Sequence, residues 1–301
     1  MCESRQPAVH IVSFNSASVI RQCLSSLRSH APAAKIIIVD NGSLDGSAEI
    51  IARAAATSAA AGHNSIRLIC NTENRGFAVA ANQAADASTG DPVVFLNPDA
   101  TVRAGWLDRI CEALDEPSVG IVGCKVLNED GRTLQHVGGL VRANGLTEHI
   151  GRGELDHGQY DGIRDAAYVT GAALGIRRQV WNELGGFDEK YFPAYFEELE
   201  LCWRARDRGY EVIVAPDAVV LHVEGASYES AGGLAFYSAY HRNRIRFVMR
   251  NFRASELLAG FVPAEIRWLV TVRPRRQLRA AGYAYLMGLL GLPSTILHRL
   301  R

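Results

Sequence analysis

The chain has 301 residues, 48% of them hydrophobic, enough to bury a sizeable core as one large α/β domain, alone or with an appendage. Its 32 basic and 32 acidic residues balance, which excludes a sparsely hydrophobic, highly charged disordered chain. The balance hides an asymmetry: residues 240–301 hold 12 Arg and 2 Glu, a surplus of +10, leaving −10 for residues 1–239.

Six cysteines (Cys2, Cys23, Cys70, Cys111, Cys124, Cys202) lack C-x-x-C spacing, so reduced core thiols are expected rather than a zinc site or a disulfide frame. Met1 to Pro7 has no apolar signal-peptide core, and a cytoplasmic location is expected.

In chain order, Val9–Phe14 reads as a strand, followed by a helix start at Asn15-Ser16 with Ile20, Cys23, Leu24 and Leu27 at helical spacing. Lys35–Val39 is a continuous β-branched run of the kind buried in parallel sheets. It ends in Asp40-Asn41-Gly42-Ser43, with an Ala-rich helix beyond. Ile66–Cys70 is a third strand, and Asn74-Arg75-Gly76-Phe77 opens a helix reaching Ala87. Val93–Leu96 is a fourth strand, stopped by Asn97-Pro98, which forces the backbone to extend or turn and delivers Asp99 to the strand tip.

This β-α-β-α-β-α-β order predicts a mostly parallel sheet flanked by helices, with right-handed crossovers. Ligands bind such sheets beyond the carboxyl ends of the strands, which places Asn15, Asp40 to Ser43, Asn74 to Phe77 and Asp99 along one edge. Amides there can approach a phosphate closely, Asp40 can accept from a ribose hydroxyl or a base, and Asp99 is the candidate ligand of a divalent cation carrying a diphosphate. Neither G-x-G-x-x-G after the first strand nor a P-loop motif occurs, which removes the main support for dinucleotide and P-loop readings.

Beyond, the sequence predicts a helix over Ala104–Leu114, a strand over Val119–Val126, and a hairpin turn at Asn128-Glu129-Asp130-Gly131. Gln135–Ala166 is polar and glycine-rich without a period, and reads as a long functional loop, part of the acceptor side or a lid. Tyr168–Ile176 reads as a strand containing Gly171, Arg177–Leu184 as a short helix, and Phe192–Arg204 as a helix whose first turn is rich in carboxylates. Those acids suit a helix dipole; an acid pair beside aromatic residues also suits a general base for an acceptor hydroxyl. Glu211–Val214 and Val219–Val223 are further strands. His222, in the second, is either a core histidine or a metal ligand.

These residues resemble glycosyltransferase family 2 of the GT-A fold. The resemblance rests on Val-Ser-Phe-Asn at 12–15, Val-Asp-Asn-Gly-Ser at 39–43 with Asp45, Asn-Arg-Gly-Phe-Ala at 74–78 with Asn82, and Leu-Asn-Pro-Asp at 96–99. Gly-Gly-Phe-Asp-Glu at 185–189, Tyr195–Arg204 and His222 follow in family order. Asn-Pro-Asp in place of D-x-D is most similar to the rhamnosyltransferase-like branch. The likeness implies a Rossmann-like GT-A domain over 1–240, with a nucleotide-sugar half at about 8–126, an acceptor half at about 127–240, and a basic helical extension over 241–301.

It also implies an inverting, metal-dependent transferase in cell-surface polysaccharide synthesis. Such an enzyme moves a sugar from a nucleotide-diphosphate donor, dTDP-rhamnose being favoured, to a hydroxyl of a glycan or lipid-linked acceptor. Carried over residue by residue, the donor site comprises Ser13, Asn15, Asp40, Asn41, Gly42, Ser43, Asn74, Gly76, Phe77, Asn82, Asn97 and Asp99. Asp99 and His222 would hold Mg²⁺ or Mn²⁺. The acceptor site would use Gly171, Trp203 and Arg204, and the base would be Glu198 or Glu197. The family's Glu-Asp followed two residues on by Asp is replaced here by glutamates at 198 and 200; the longer side chain leaves the base open between Glu197 and Glu198. A sugar-1-phosphate nucleotidyltransferase would want a basic glycine-rich loop after the first strand, which Asn15–Ser18 is not. A non-catalytic scaffold that kept the fold is the remaining alternative.

In the tail, Arg242, Arg246, Arg250 and Arg253 fall at helical spacing opposite Ile245, Val248, Met249 and Phe252. Arg273, Arg275, Arg276 and Arg279 precede the uncharged run 280–297, weakened as a span by its glycines and Pro293. Peripheral attachment to the inner leaflet of the plasma membrane, or contact in an oligomer, is therefore expected rather than a true span. No nucleic-acid recognition motif accompanies the basic stripe.

Overall fold

The computed structural model describes residues 6–62, 65–162, 165–223, 233–272 and 276–290. Strands β1 (Ala8–Ser13), β2 (Lys35–Asp40), β3 (Ile66–Cys70) and β4 (Val93–Leu96) alternate with helices α1 (Ile20–His30), α2 (Ser47–Ala60) and α3 (Phe77–Asp86). All adjacent pairs among these four strands are parallel, as their unbroken apolar runs require when both faces are covered. β5 (Ala100–Val102), α4 (Trp106–Ala113), β6 (Val119–Leu127), β7 (Leu134–His136), β8 (Gly139–Val141) and β9 (Thr147–His149) follow. Then come β10 (Ala173–Ile176), α5 (Arg178–Leu184), α6 (Glu197–Asp207) and β11 (Glu211–His222). The main sheet runs β3-β2-β1-β4-β10-β6-β11-β5, with β7 beside β6 and β10 antiparallel to both its neighbours.

One register decides where the chemistry falls. β5 pairs antiparallel with the end of β11, setting His222 opposite Ala100, and the Val223 amide donates to the Asp99 carbonyl at 3.1 Å. Asp99 and His222, far apart in the chain, are thus fixed side by side by backbone alone.

Four findings differ from the sequence reading. The 135–166 stretch carries β8 and β9, a hairpin of its own, because short strands with glycine and histidine lack an apolar period. The strand read over 168–176 starts at Ala173, leaving Gly171 ahead of it. The two strands read over 211–223 are one, broken in register between Ala215 and Val219, where Pro216 cannot donate. The boundary placed at 240/241 falls inside one helix, α7 (Leu234–Asn251).

After α7 come a turn, α8 (Ala254–Glu256), a π-helical turn (Leu257–Phe261), α9 (Val262–Thr271) and α10 (Arg276–Leu290). α7 packs on the body with Phe247, Val248 and Phe252 in the core around α6. Its arginines also face protein: Arg244 is fully buried and bidentate on Glu265 of α9 at 2.5 and 2.8 Å. Arg250 pairs with Asp188, and Arg242 donates to the Phe192 carbonyl. Of the stripe read at helical spacing, Arg242 and Arg250 are thus internal ties, while Arg253 is exposed. Among the described residues no helix is long and apolar enough to cross a membrane; Arg273, Arg275 and residues 291–297 lie outside the described residues.

Candidate active site

A cleft of about 880 Å³ opens beyond the carboxyl ends of the parallel strands. Of the sequence-predicted residues, Asn15, Asn41, Asn74, Phe77, Asn97, Asp99, Gly171, Glu197 and Glu198 line it.

Its donor side is built by side chains that tie loops together. Asn15 takes a positive φ of 49°, rare outside glycine but tolerable for Asn. Its side chain offsets that cost by accepting the Leu44 amide at 2.9 Å. Asn41 is a hub: Nδ2 donates to Asn74 Oδ1 and the Gly76 carbonyl, while Oδ1 accepts from Asn71 Nδ2 and the Arg75 amide. Gly76 has φ +86°, and a Cβ there would meet the Phe192 ring at 2.7 Å. Asp40 is buried; it accepts the Ser43 amide at 3.0 Å and lies 3.4 Å from the Ser13 hydroxyl. Asp40, Ser13, Gly42 and Ser43 therefore shape the loop from behind, and Asn41 is the residue of that motif on the cleft wall.

Asn82, Trp203 and Arg204 stand away from the cleft lining and face protein, while His222, not itself on the lining, adjoins Asp99, which is. Asn82 grips Phe187 through both its amide and carbonyl and donates to Glu189, latching α3 to the 185–189 loop. Trp203 packs on Phe247 and stacks on Phe252. Arg204 is held by Glu200 at 2.8 Å and by the carbonyls of Leu184 and Gly186, closing the carboxyl end of α5. Glu200 is thus occupied by Arg204, which gives the glutamate at that position a structural task. The placement argues against acceptor contact by Trp203 and Arg204: both side chains are engaged in packing.

At the sheet edge, His222 Nε2 lies 3.0 Å from Asp99 Oδ1. Nδ1 of His222 donates to Gln135 Oε1 at 2.7 Å, and the Asn97 amide donates to Nε2 at 3.3 Å. These partners suit the Nδ1–H tautomer, with Nε2 turned toward the carboxylate oxygen. Asp99 is buried, and its Oδ1 has no hydrogen bond among the described residues. An imidazole nitrogen and a carboxylate oxygen at such a distance fit a cation held by one nitrogen and one hard oxygen, other positions being left to phosphate and water. No cluster of three or more such ligands occurs among the described residues. Gln135 is the residue the sequence reading missed; its only signal was a polar side chain shortly past the hairpin turn.

On another wall, α6 begins with Glu197 and Glu198. They are preceded by Tyr195 and Phe196 with φ of 79° and 78°, a strained pair that persists only if held. Asn243 of α7 holds it, donating to the Ala194 and Tyr195 carbonyls at 3.0 Å each, and the Phe77 amide donates to the Pro193 carbonyl at 2.8 Å. Burial raises Glu197 well above the ordinary carboxyl range, and the neighbouring Glu198 raises it further. Burial likewise pushes Glu198 up to about 7, opposed by the Gly171 amide. Each keeps one buried oxygen unpartnered among the described residues. Tyr168, Phe236, Tyr237, Tyr240 and Trp268 add an aromatic wall.

A Rossmann-like, mostly parallel sheet with an acid–histidine edge and a carboxylate pair on a second wall is the arrangement of a GT-A fold. The family model for glycosyl transferase family 2 matches residues 8–185, and the chain belongs to that family. It is 26% identical over 274 residues to the N-acetylglucosaminyl-diphospho-decaprenol L-rhamnosyltransferase of Mycobacterium tuberculosis, covering 81% of each chain. It is 35% identical over 153 residues to the O-antigen biosynthesis protein RfbC of Myxococcus xanthus, covering 48% of this chain and only 12% of that protein. The structure of the mannosyltransferase PcManGT of Pyrobaculum calidifontis, in complex with GDP-Man and Mn²⁺, superposes with a TM-score of 0.63. That match has 20% identity and covers 96% of this chain and 75% of that one; it shows the GT-A fold.

Proposed function

We propose that the protein is an inverting, metal-dependent glycosyltransferase of cell-surface glycan synthesis. In this reading it moves a sugar, rhamnose from dTDP-rhamnose being favoured, to a hydroxyl of a glycan or lipid-linked acceptor. The observation that carries the reading is that Asp99, with His222 beside it at 3.0 Å, and the Glu197-Glu198 pair, on separate elements, line one cleft through Asp99 and both glutamates. The decaprenol-linked rhamnosyl transfer named for the Mycobacterium relative supports the choice of sugar and acceptor class.

Breaking the anomeric bond builds positive charge on the sugar and negative charge on the departing diphosphate. Mg²⁺ or Mn²⁺, held by Asp99 and His222, would neutralise that diphosphate as a Lewis acid. Asn97 and Gln135 fix the imidazole that shares this task. The loops around Asn15, Asn41 and Asn74 seat the nucleotide. Glu198, partly open to the cleft, takes the proton of the attacking hydroxyl, and its value near 7 suits a base at neutral pH. Glu197, the more buried acid, keeps a proton and limits the pair to one negative charge. Single displacement needs no covalent intermediate and inverts the anomeric centre. An acceptor on a lipid places the protein peripherally at the inner face of the plasma membrane.

Thermal-shift screening against dTDP, UDP and GDP with and without Mn²⁺, followed by donor turnover, tests the reading. A metal-dependent shift with one nucleotide diphosphate is expected; no shift with any of them, and no turnover, overturns it.

A further inference from the structure

The segment from the π-helical turn through α9 is built inside out. Its inward side carries Leu257 and Phe261 against the core, the buried carboxylate of Glu265 on the fully buried Arg244, and Trp268 on the cleft wall beneath the Arg244 guanidinium, 4.9 Å from its ring centre. Asn144 Nδ2 also donates to Glu265, at 3.0 Å, and Tyr285 of α10 reaches the same carboxylate. Its outward side carries Leu258, Val262, Ile266 and Val270, exposed by 74, 44, 59 and 73%. A water-facing helix puts its ions out and its aliphatic side chains in; this one does the reverse.

A one-residue slip does not explain it, because the Arg244–Glu265 pair is bidentate and further tied by Asn144 and Tyr285. Those hydrogen bonds fix the register, and the aliphatic residues are outside as a consequence. A contiguous apolar stripe of this kind marks a surface that meets something other than water. Arg253, just ahead of the π-helical turn, and Arg267, within α9, are exposed, with the exposed Glu256 beside Arg253. An aliphatic stripe bracketed by cations is complementary to an anionic lipid surface, where apolar insertion and attraction to headgroups act together.

We infer that the outward stripe Leu258–Val262–Ile266–Val270, flanked by Arg253 and Arg267, is a docking face for an anionic phospholipid bilayer. It holds the cleft, which Trp268 lines from the same helix, within about one helix diameter, roughly 10 Å, of the membrane surface. This rests on the lipid-linked acceptor reading for its purpose, but its physical content is separate from that reading.

Flotation of the full chain with vesicles of phosphatidylglycerol and phosphatidylcholine, against phosphatidylcholine alone, tests it. Ile266→Asp/Val270→Asp points outward and leaves the fold intact, checked by an unchanged melting temperature and an unchanged nucleotide-diphosphate thermal shift. The wild type is expected to float with the anionic vesicles and to be released by salt, and the double variant to lose binding by about tenfold or more. Equal flotation of the variant overturns the inference, as does a wild-type dimer by light scattering that the variant converts to monomer, since the stripe would then cover a second copy. If wild-type flotation holds while no nucleotide binds, the docking face stands and the transferase reading falls.

Discussion

His222 Nε2 and Asp99 Oδ1 stand 3.0 Å apart, and Asn97 Nδ2 donates to the same imidazole nitrogen at 3.3 Å. The gap is set by backbone register, since β5 pairs with β11 at Ala100 and His222, so side-chain adjustment cannot readily close it. If this is the cation site, Asp99→Ala lowers Mn²⁺-dependent nucleotide-diphosphate binding and turnover by roughly 100-fold or more while the melting temperature stays within a few degrees. Metal binding by Asp99→Ala equal to wild type, measured by titration calorimetry, contradicts the assignment.

Gln135 sets the tautomer of His222 from the far side of the ring. Gln135→Leu removes the acceptor for Nδ1–H, so the proton is free to occupy Nε2. We expect about 10- to 100-fold weaker metal affinity, the usual cost of losing such an outer partner, with KM for the acceptor unchanged. Unaltered metal affinity removes Gln135 from this role.

The carboxylate pair predicts two pH effects. Turnover per free enzyme should rise with pH through about 7 as Glu198 ionises, and Glu198→Gln should abolish it. Between the ordinary carboxyl value of 4.5 and about 7, the folded chain holds a proton that the unfolded chain has released. Stability from this group is therefore full below 4.5 and lost as pH rises through about 7. Glu198→Gln should melt higher than wild type at pH values well above that range and converge with it near the ordinary carboxyl value. A turnover profile flat across the same range, or full activity in Glu198→Gln with none in Glu197→Gln, moves the base to the neighbour.

Asn243 carries the strain of Tyr195 and Phe196 through two hydrogen bonds. Asn243→Ala loses about 1 kcal/mol per bond and lets the first turn of α6 shift. Turnover is expected to fall by roughly tenfold or more with donor affinity largely retained, because Asn243 bonds Ala194 and Tyr195 and not Asn15, Asn41 or Asn74. A lower melting temperature alone, with turnover intact, makes Asn243 merely structural.

Arg244 and Glu265 are a buried pair, with side-chain exposures of 0 and 6%. Arg244→Met removes the counter-ion of the buried Glu265 and leaves it only the Asn144 and Tyr285 hydrogen bonds, which destabilises by about 3–5 kcal/mol; Arg244→Met with Glu265→Leu should recover most of that. Failure of the double variant to recover any stability shows that the pair does not act as one unit.

The four leading strands and their helices were legible because each strand is a continuous buried run and each loop announces itself with Asn, Gly or Asp. Asp99 at a strand tip followed from Pro98. The partnership of Asp99 with His222 did not follow from pattern, since it depends on a short strand, β5, pairing with one remote in sequence. Gln135 was hidden for the same reason: its task is a hydrogen bond across the sheet. The tail misled because arginines at helical spacing look alike whether they face water or, as Arg242 and Arg250 do, the Phe192 carbonyl and the half-buried Asp188. Trp203 and Arg204 look functional in the sequence since aromatic and guanidinium groups serve packing and binding equally well.

The most direct test is calorimetric titration of Mn²⁺ with a bound nucleoside diphosphate into the wild type, Asp99→Ala and His222→Ala. Saturable binding of one cation, dependent on the nucleotide and lost in both variants, is the predicted result. Binding of the cation that survives both substitutions would contradict it and place the diphosphate elsewhere in the cleft.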